Sequence, residues 1–137
     1  MRRLSVEIGA TKFTAVANTE KAPKTIEMLS KLLPIEGEVL HSRFAGECVW
    51  HYMKGGPQME YENHTSYLSR GEIVYYPGSI HGNGILVAYG GATFNSKVGL
   101  LAANHFASIT EDLDRLVEVG SKVHREGAKS VRITQIE

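Results

Sequence analysis

The sequence of 137 residues predicts a mainly β fold, a closed antiparallel barrel capped by two α-helices. Three observations support this prediction. Short runs with strand-like alternation recur along nearly the whole chain, glycine- or proline-containing turns separate them, and only two segments have helical periodicity. Closing such a sheet removes the edge strands that would otherwise aggregate. The length suits one domain that spans residues 1–137.

The first two strands form a predicted hairpin, with alternation over residues 4–8 and 13–17 around a turn near Gly9. Later strand-like runs are separated by turn signals such as Ala45-Gly46, Pro77-Gly78 and Gly90-Gly91. These later strands are predicted at 39–44, 47–52, 72–76, 85–89, 104–109 and 131–135.

Two prolines bracket the first predicted helix. Pro23 suits its first turn, where the missing N–H costs nothing, and Pro34 prevents its continuation. Its apolar stripe consists of Ile26, Leu29, Leu32 and Leu33. The second helix is predicted from Thr110, as the capping residue, to about Gly127, with an apolar stripe of Leu113, Leu116, Val117, Gly120 and Val123.

Composition narrows the function classes. Fifteen basic residues balance fifteen acidic ones, so no net field favours nucleic acid or an anionic membrane. Cys48 is the only cysteine, which excludes an internal disulfide, and no apolar run is long enough to span a bilayer, so a cytoplasmic protein is expected. The six histidines lack metal-ligand spacing, and no phosphate-binding loop occurs, so neither a metal nor a cofactor is expected.

Side-chain parity suggests one candidate site. In a strand over 47–52, Glu47 lies on one face and Trp50 on the other. Arg43 lies on the preceding strand and would approach Glu47 if the two strands pair through Ala45-Gly46. This pair is either a functional carboxylate and guanidinium or a solvated surface salt bridge. Trp50 is either a core residue or a wall on which a planar substrate stacks.

Three further polar segments are candidates. Glu62-Asn63-His64 is predicted to lie in a loop, where a carboxylate, an amide and an imidazole come together or are merely solvated. Lys97 follows a glycine turn and either holds an anion or is an ordinary exposed lysine. His105 begins an otherwise apolar strand and is either a proton carrier or a hydrogen-bonded core histidine.

The chain resembles a cyclophilin-like family of small bacterial proteins that is similar to the cyclophilin-like domain of cucumopine synthase. The resemblance covers nearly the whole chain and rests on residues 22–25, 43–47 with Trp50, 62–66, 71–78, 94–97 and 104–106. Cyclophilins proper carry a glutamine and paired glycines where this chain has Glu47 to Trp50, so a proline-accepting groove is not expected. The fold is expected to be shared without the isomerase chemistry.

The resemblance implies Pictet–Spengler chemistry, in which an amine condenses with a carbonyl compound and a ring closes on an aromatic carbon. A cofactor-independent enzyme would then use Glu47, Glu62 and His105 as acid and base groups. The expected substrate-binding residues are Arg43, Trp50, Asn63, Tyr76, Lys97 and Asn104. The expected partner is a small molecule, an amine or amino acid with a carbonyl compound, and a homo-oligomer is compatible with the sequence. The alternatives are a non-catalytic module that binds a small molecule or peptide, and a peptidyl-prolyl isomerase.

Overall fold

The predicted barrel is present and closed in the computed structural model, which describes residues 1–78 and 82–137. Its strands pair in the order β2-β1-β12-β3-β4-β8-β7-β11, and β11 pairs with β2 to close the ring. All of these pairings are antiparallel. The strands are β1 (Arg3–Ile8), β2 (Thr11–Ala17), β3 (Ile35–His41), β4 (Gly46–Met53), β5 (His64–Thr65), β6 (Tyr67–Leu68), β7 (Glu72–Tyr76), β8 (Asn83–Thr93), β9 (Asn95–Ser96), β10 (Gly99–Leu100), β11 (Ala103–Ile109) and β12 (Lys129–Gln135).

Two helices pack onto the barrel core, as predicted. Helix α1 (Pro23–Ser30) buries Ile26 and Leu29, and helix α2 (Leu113–Glu126) buries Leu116 and Val123. All four side chains belong to the same apolar cluster as the inward-facing strand residues. These four members of the apolar stripes predicted from the sequence therefore face the barrel core.

The alternate positions of several strands form a second, outer apolar layer. On β4, Val49 belongs to the inner cluster, whereas Cys48 belongs to the outer one and Trp50 packs against it. On β8, Val87 faces inward and Leu86 outward. Because successive side chains of a strand point to opposite faces, this stretch of sheet is covered on both sides.

Four details of the sequence prediction were wrong. Gly90 and Gly91 do not form a turn but lie inside β8, which runs to Thr93. The strand after α1 covers 35–41 rather than 39–44. Helix α1 ends at Ser30, so Leu32 lies outside it and is exposed. Helix α2 starts at Leu113 behind Asp112, which has a left-handed φ of 58°, so Thr110 is not its cap.

Within the described ranges 1–78 and 82–137, neither helix is long and apolar enough to cross a membrane.

Candidate functional site

A pocket of about 470 Å³ opens on the outer layer of the barrel. Three parts of the chain form it: the turn between β3 and β4, the outward face of β4, β7 and β8, and the segment around the β9–β10 hairpin. The lining residues are Ser42, Arg43, Phe44, Trp50, Tyr76, Leu86, Phe94, Asn95, Ser96, Lys97 and Leu101. This volume lies in the range of small-molecule sites, about 300–1,000 Å³.

The floor of the pocket follows from strand register. Trp50 on β4 lies directly opposite Leu86 on β8, and the buried Tyr76 on β7 lies opposite Gly84 on the same strand. A Cβ atom at Gly84 would lie 3.0 Å from Cε3 of Trp50, so the missing side chain leaves space for the indole. Tyr76 also packs edge-on against Phe94, with ring centroids 5.3 Å apart. Aromatic side chains thus form most of the apolar wall.

Two cations border this aromatic wall. Arg43 lies in the β3–β4 turn and Lys97 in the β9–β10 turn, and both are exposed. Neither forms a hydrogen bond or an ion pair with any residue in the described part of the chain. The Trp50 indole N–H and the Asn95 amide have no hydrogen-bond partner there either. The pocket therefore offers several hydrogen-bond donors that the protein itself leaves unused.

Glu47 does not line this pocket. It lies on β4 with the opposite parity to Trp50, and its exposed side chain is next to Gly90 and Tyr89 of β8. Burial of Tyr89, followed by the negative charge of Glu47, raises the pKa of the Tyr89 hydroxyl. Strands β3 and β4 pair as expected, with Leu40 opposite Trp50. This pairing does not bring Arg43 to Glu47, because Arg43 lines the pocket and Glu47 does not.

Glu62 binds the first turn of helix α1. Its carboxylate accepts hydrogen bonds from the backbone N–H of Lys24 (3.1 Å), the N–H of Thr25 (2.8 Å) and the hydroxyl of Thr25 (2.8 Å). Partial burial alone raises the pKa of Glu62, but the bonds from Thr25 and Lys24 outweigh burial, so the pKa of this carboxyl is lowered. A carboxylate in this place satisfies N–H groups that the helix cannot pair internally and complements the helix dipole.

Asn104 belongs to the same network and is fully buried on β11. Its carbonyl oxygen accepts from the N–H of Glu62 at 3.0 Å, and its amide donates to the Thr25 hydroxyl and to the Glu60 carbonyl, both at 3.2 Å. Every polar atom of this amide has a partner, as burial demands. Asn104 and Glu62 together tie the loop before β5 to α1.

Asn63 and His105 are joined through the backbone next to this network. The Asn63 amide donates to the His105 carbonyl at 2.8 Å, with Asn63 in a left-handed conformation at φ 48°. The half-buried His105 ring has Nε2 2.9 Å from the Ser108 hydroxyl and 3.1 Å from the Ala107 carbonyl, and Nδ1 3.6 Å from a Glu72 carboxylate oxygen. A register shift between His105 and Ala107 turns this part of β11.

The structure therefore divides the predicted site residues into three groups. Arg43, Trp50, Tyr76 and Lys97 come together in the pocket. Glu62, Asn63, Asn104 and His105 lie in the network of α1, β5 and β11. Glu47 lies beside Tyr89.

Sequence reasoning missed the apolar part of the pocket wall. Phe44 adjoins Arg43 and is 53% exposed, and Phe94 and Leu101 border the β9–β10 hairpin. An aromatic residue directly after the candidate arginine was the available signal for Phe44. In the described ranges, no group of three or more His, Cys, Asp or Glu side chains is placed to hold a metal ion.

The fold is shared with solved proteins of low sequence identity. A structure of McbB in complex with tryptophan superposes with a TM-score of 0.76 at 22% identity, over 96% of this chain and 44% of the McbB chain. This chain thus spans less than half the length of McbB. The hypothetical protein AF2241 from Archaeoglobus fulgidus superposes with a TM-score of 0.65 at 17% identity, over 98% of this chain and 95% of that protein.

No curated protein matches the sequence. The profile of a family described as "protein of unknown function (DUF3830)" matches residues 4–135. Because this match covers nearly the entire chain, the protein belongs to the DUF3830 family.

Proposed function

We propose that the protein is an enzyme whose pocket binds a small organic acid with an aromatic body. The observation that supports this most directly is the combination of two unpaired cations, Arg43 and Lys97, with an aromatic wall built around Trp50. An aromatic ring of the ligand would lie on the wall, while its anionic group would take the unused donors. Arg43 suits a carboxylate, because a guanidinium can donate two parallel hydrogen bonds to it.

The reaction to test first is the condensation of an amine with a carbonyl compound followed by ring closure. Its support is the resemblance to the cucumopine synthase domain, together with a neighbour of the same fold, McbB, that was solved with tryptophan. Such a reaction needs an acid to help water leave and a base to take the ring proton. The pocket-lining groups from which a proton could pass to the substrate include Lys97 and the Tyr76 hydroxyl, whereas the Arg43 guanidinium keeps its proton. Glu47, Glu62 and His105 remain proposals from the sequence for these roles.

A second candidate function is binding without catalysis. In the described part of the chain, no carboxylate and no imidazole lines the pocket, so the usual general bases are absent from its wall. A module that only binds an aromatic acid needs nothing beyond the aromatic wall and the cations. Turnover separates the two candidates, because both require the same binding.

Binding can be followed with the protein's own fluorescence. Trp50 is the only tryptophan and lines the pocket, so its emission reports occupancy. The probe is 3-phenylpropionate, whose benzene ring does not absorb where tryptophan is excited selectively. We expect saturable quenching in the wild type and an affinity about five- to tenfold lower in Arg43→Gln, from the loss of a charge-assisted bond at a partly exposed site.

The matched control is Lys12→Gln, which removes an exposed cation on β2 that does not line the pocket. It should leave the affinity unchanged. Equal affinities of the wild type and Arg43→Gln would contradict the proposed site.

Catalysis is tested separately, by incubating the protein with an aryl-ethylamine and an aldehyde that carries an aromatic carboxylate, 4-formylbenzoate. The ring-closed product and the open imine both have the summed mass minus one water, but borohydride reduces only the imine. Enzyme-dependent formation of a product of this mass that resists borohydride supports condensation with ring closure. Binding of the acid without any such product across a panel of amines and aldehydes supports the binding module instead.

A further inference from the structure

We propose that the pocket selects ligands with two negative charges and no ammonium group, so aromatic dicarboxylates bind in preference to aromatic amino acids. This inference rests on the proposed function, because it takes the same pocket as the substrate site, and in the condensation it assigns the pocket to the anionic carbonyl compound rather than to the amine. It adds the charge of the ligand, which the aromatic wall alone does not determine.

The charged groups of the pocket wall all have one sign. Arg43 and Lys97 contribute two formal positive charges, and among the described residues no carboxylate lines the pocket to offset them. The nearest candidate by sequence, Glu47, faces Tyr89 on the other face of β4. An amino acid would pair its carboxylate with one cation, but its ammonium would then approach positive charge without an anionic acceptor. A second carboxylate in the same place would instead pair with the second cation.

The neutral polar groups of the pocket also favour an anionic ligand. The Trp50 indole N–H can only donate, whereas the Asn95 amide has two N–H donors and one acceptor oxygen, and both groups are without partners in the described chain. The Ser42 hydroxyl oxygen already accepts a hydrogen bond from the Ala45 N–H at 3.0 Å. Donors therefore outnumber the acceptors that could solvate a buried ammonium, whereas carboxylate oxygens would find several partners.

The two cations come from separate, locally ordered turns, so they form two anchors rather than one. Lys97 lies in the β9–β10 turn, where the Ser96 hydroxyl donates to the Gly99 carbonyl at 2.9 Å and accepts from the Val98 N–H at 3.2 Å. Arg43 lies in the β3–β4 turn, which the bond from Ala45 to Ser42 closes. A ligand with two separate carboxylates matches two such anchors better than a ligand with one.

A matched series of ligands tests the inference. Phenylalanine, 3-phenylpropionate and benzylmalonate all contain the 3-phenylpropionate unit and differ only in the substituent on the carbon next to its carboxylate, which is an ammonium, a hydrogen or a second carboxylate. We expect benzylmalonate to bind about fivefold more tightly than 3-phenylpropionate, from one partly exposed charge pair gained, and phenylalanine about fivefold more weakly, from one like-charge repulsion added. The dissociation constants come from Trp50 quenching, and the advantage of benzylmalonate should shrink as salt is raised.

The variant Lys97→Gln should remove most of the preference for benzylmalonate over 3-phenylpropionate, whereas Lys12→Gln should keep it. If phenylalanine binds as tightly as 3-phenylpropionate or benzylmalonate gains nothing, the charge preference is refuted while the proposed pocket stands. If none of the three ligands binds, the proposed function itself fails and the preference fails with it.

Discussion

Replacing Glu62 by glutamine should destabilise the protein without affecting the pocket. The carboxylate accepts three hydrogen bonds from Lys24 and Thr25 at the start of α1. Glutamine keeps one oxygen for Thr25 but turns an N–H₂ group toward the Lys24 N–H, and it removes the negative charge at the helix N-terminus. One lost charge-assisted bond is worth about 1.5–3 kcal/mol, and partial exposure reduces this to about 1–2 kcal/mol.

The assays are urea and thermal unfolding of the wild type and Glu62→Gln at several pH values. At neutral pH we expect the full loss, with a fall in Tm of about 4–8 °C. Because the folded-state pKa of Glu62 is lowered, its contribution is present above the unfolded-state pKa and disappears as pH falls through the folded-state pKa. The difference between the two proteins should therefore shrink in acid.

The neighbouring carboxylate provides the control. Glu60 contacts the Lys24 ammonium at 2.6 Å, and both side chains are about two-thirds exposed, at 67% and 68%. Glu60→Gln should change stability much less, because exposed ion pairs contribute little. Equal stability of Glu62→Gln and Glu60→Gln at neutral pH would show that the Glu62 carboxylate does not stabilise the start of α1. Loss of turnover at unchanged stability would instead assign Glu62 to catalysis, as the sequence suggested.

Three further predictions concern the packing of α2 on Tyr89, the accessibility of Cys48 and the role of Glu47. Gly120→Ala should lower the free energy of unfolding in urea by about 1–3 kcal/mol, because the added Cβ would overlap the Tyr89 ring. Gly91→Ala has open space around it and should be nearly neutral, so equal losses of stability in the two variants would contradict this packing. Burial raises the pKa of the Cys48 thiol to about 11, so a disulfide reagent should label Cys48 only after the protein is unfolded at neutral pH. Rapid labelling of the native protein would show that the thiol is accessible. Glu47 lies outside the pocket beside Tyr89, so Glu47→Gln should leave product formation, Tm and Trp50 quenching by 3-phenylpropionate unchanged. Loss of turnover at unchanged Tm and affinity would instead support the catalytic role that the sequence predicts for Glu47.

The strand and helix pattern was largely predictable because it is a local property. Strand β7 was predicted with its observed ends, 72–76, since this short run of β-branched and aromatic residues ends at the Pro77-Gly78 turn signal. The Gly90-Gly91 pair misled the prediction, because glycines that favour turns in isolation here continue β8 across the sheet. Gly90 leaves space for the Glu47 side chain of the adjacent strand, a contact that no local pattern shows.

The candidate site was predictable only in part, for the same reason. Parity alone placed Glu47 and Trp50 on opposite faces of one strand, and the structure agrees. That Lys97 shares a pocket with Trp50 depends on how the β9–β10 segment meets the outer face of the sheet. That Glu62 binds α1 depends on a contact across 37 residues of sequence.

By itself, the sequence determined most of the strand pattern, the two amphipathic helices and which residues of a strand share a face, because these depend on neighbours within a few positions of the chain. The tertiary structure decided which of the exposed charges share a pocket and which merely brace a helix. Barrel closure brings together segments that are far apart in sequence, and the partners of a side chain such as Arg43 or Glu62 are set by that closure rather than by spacing along the chain.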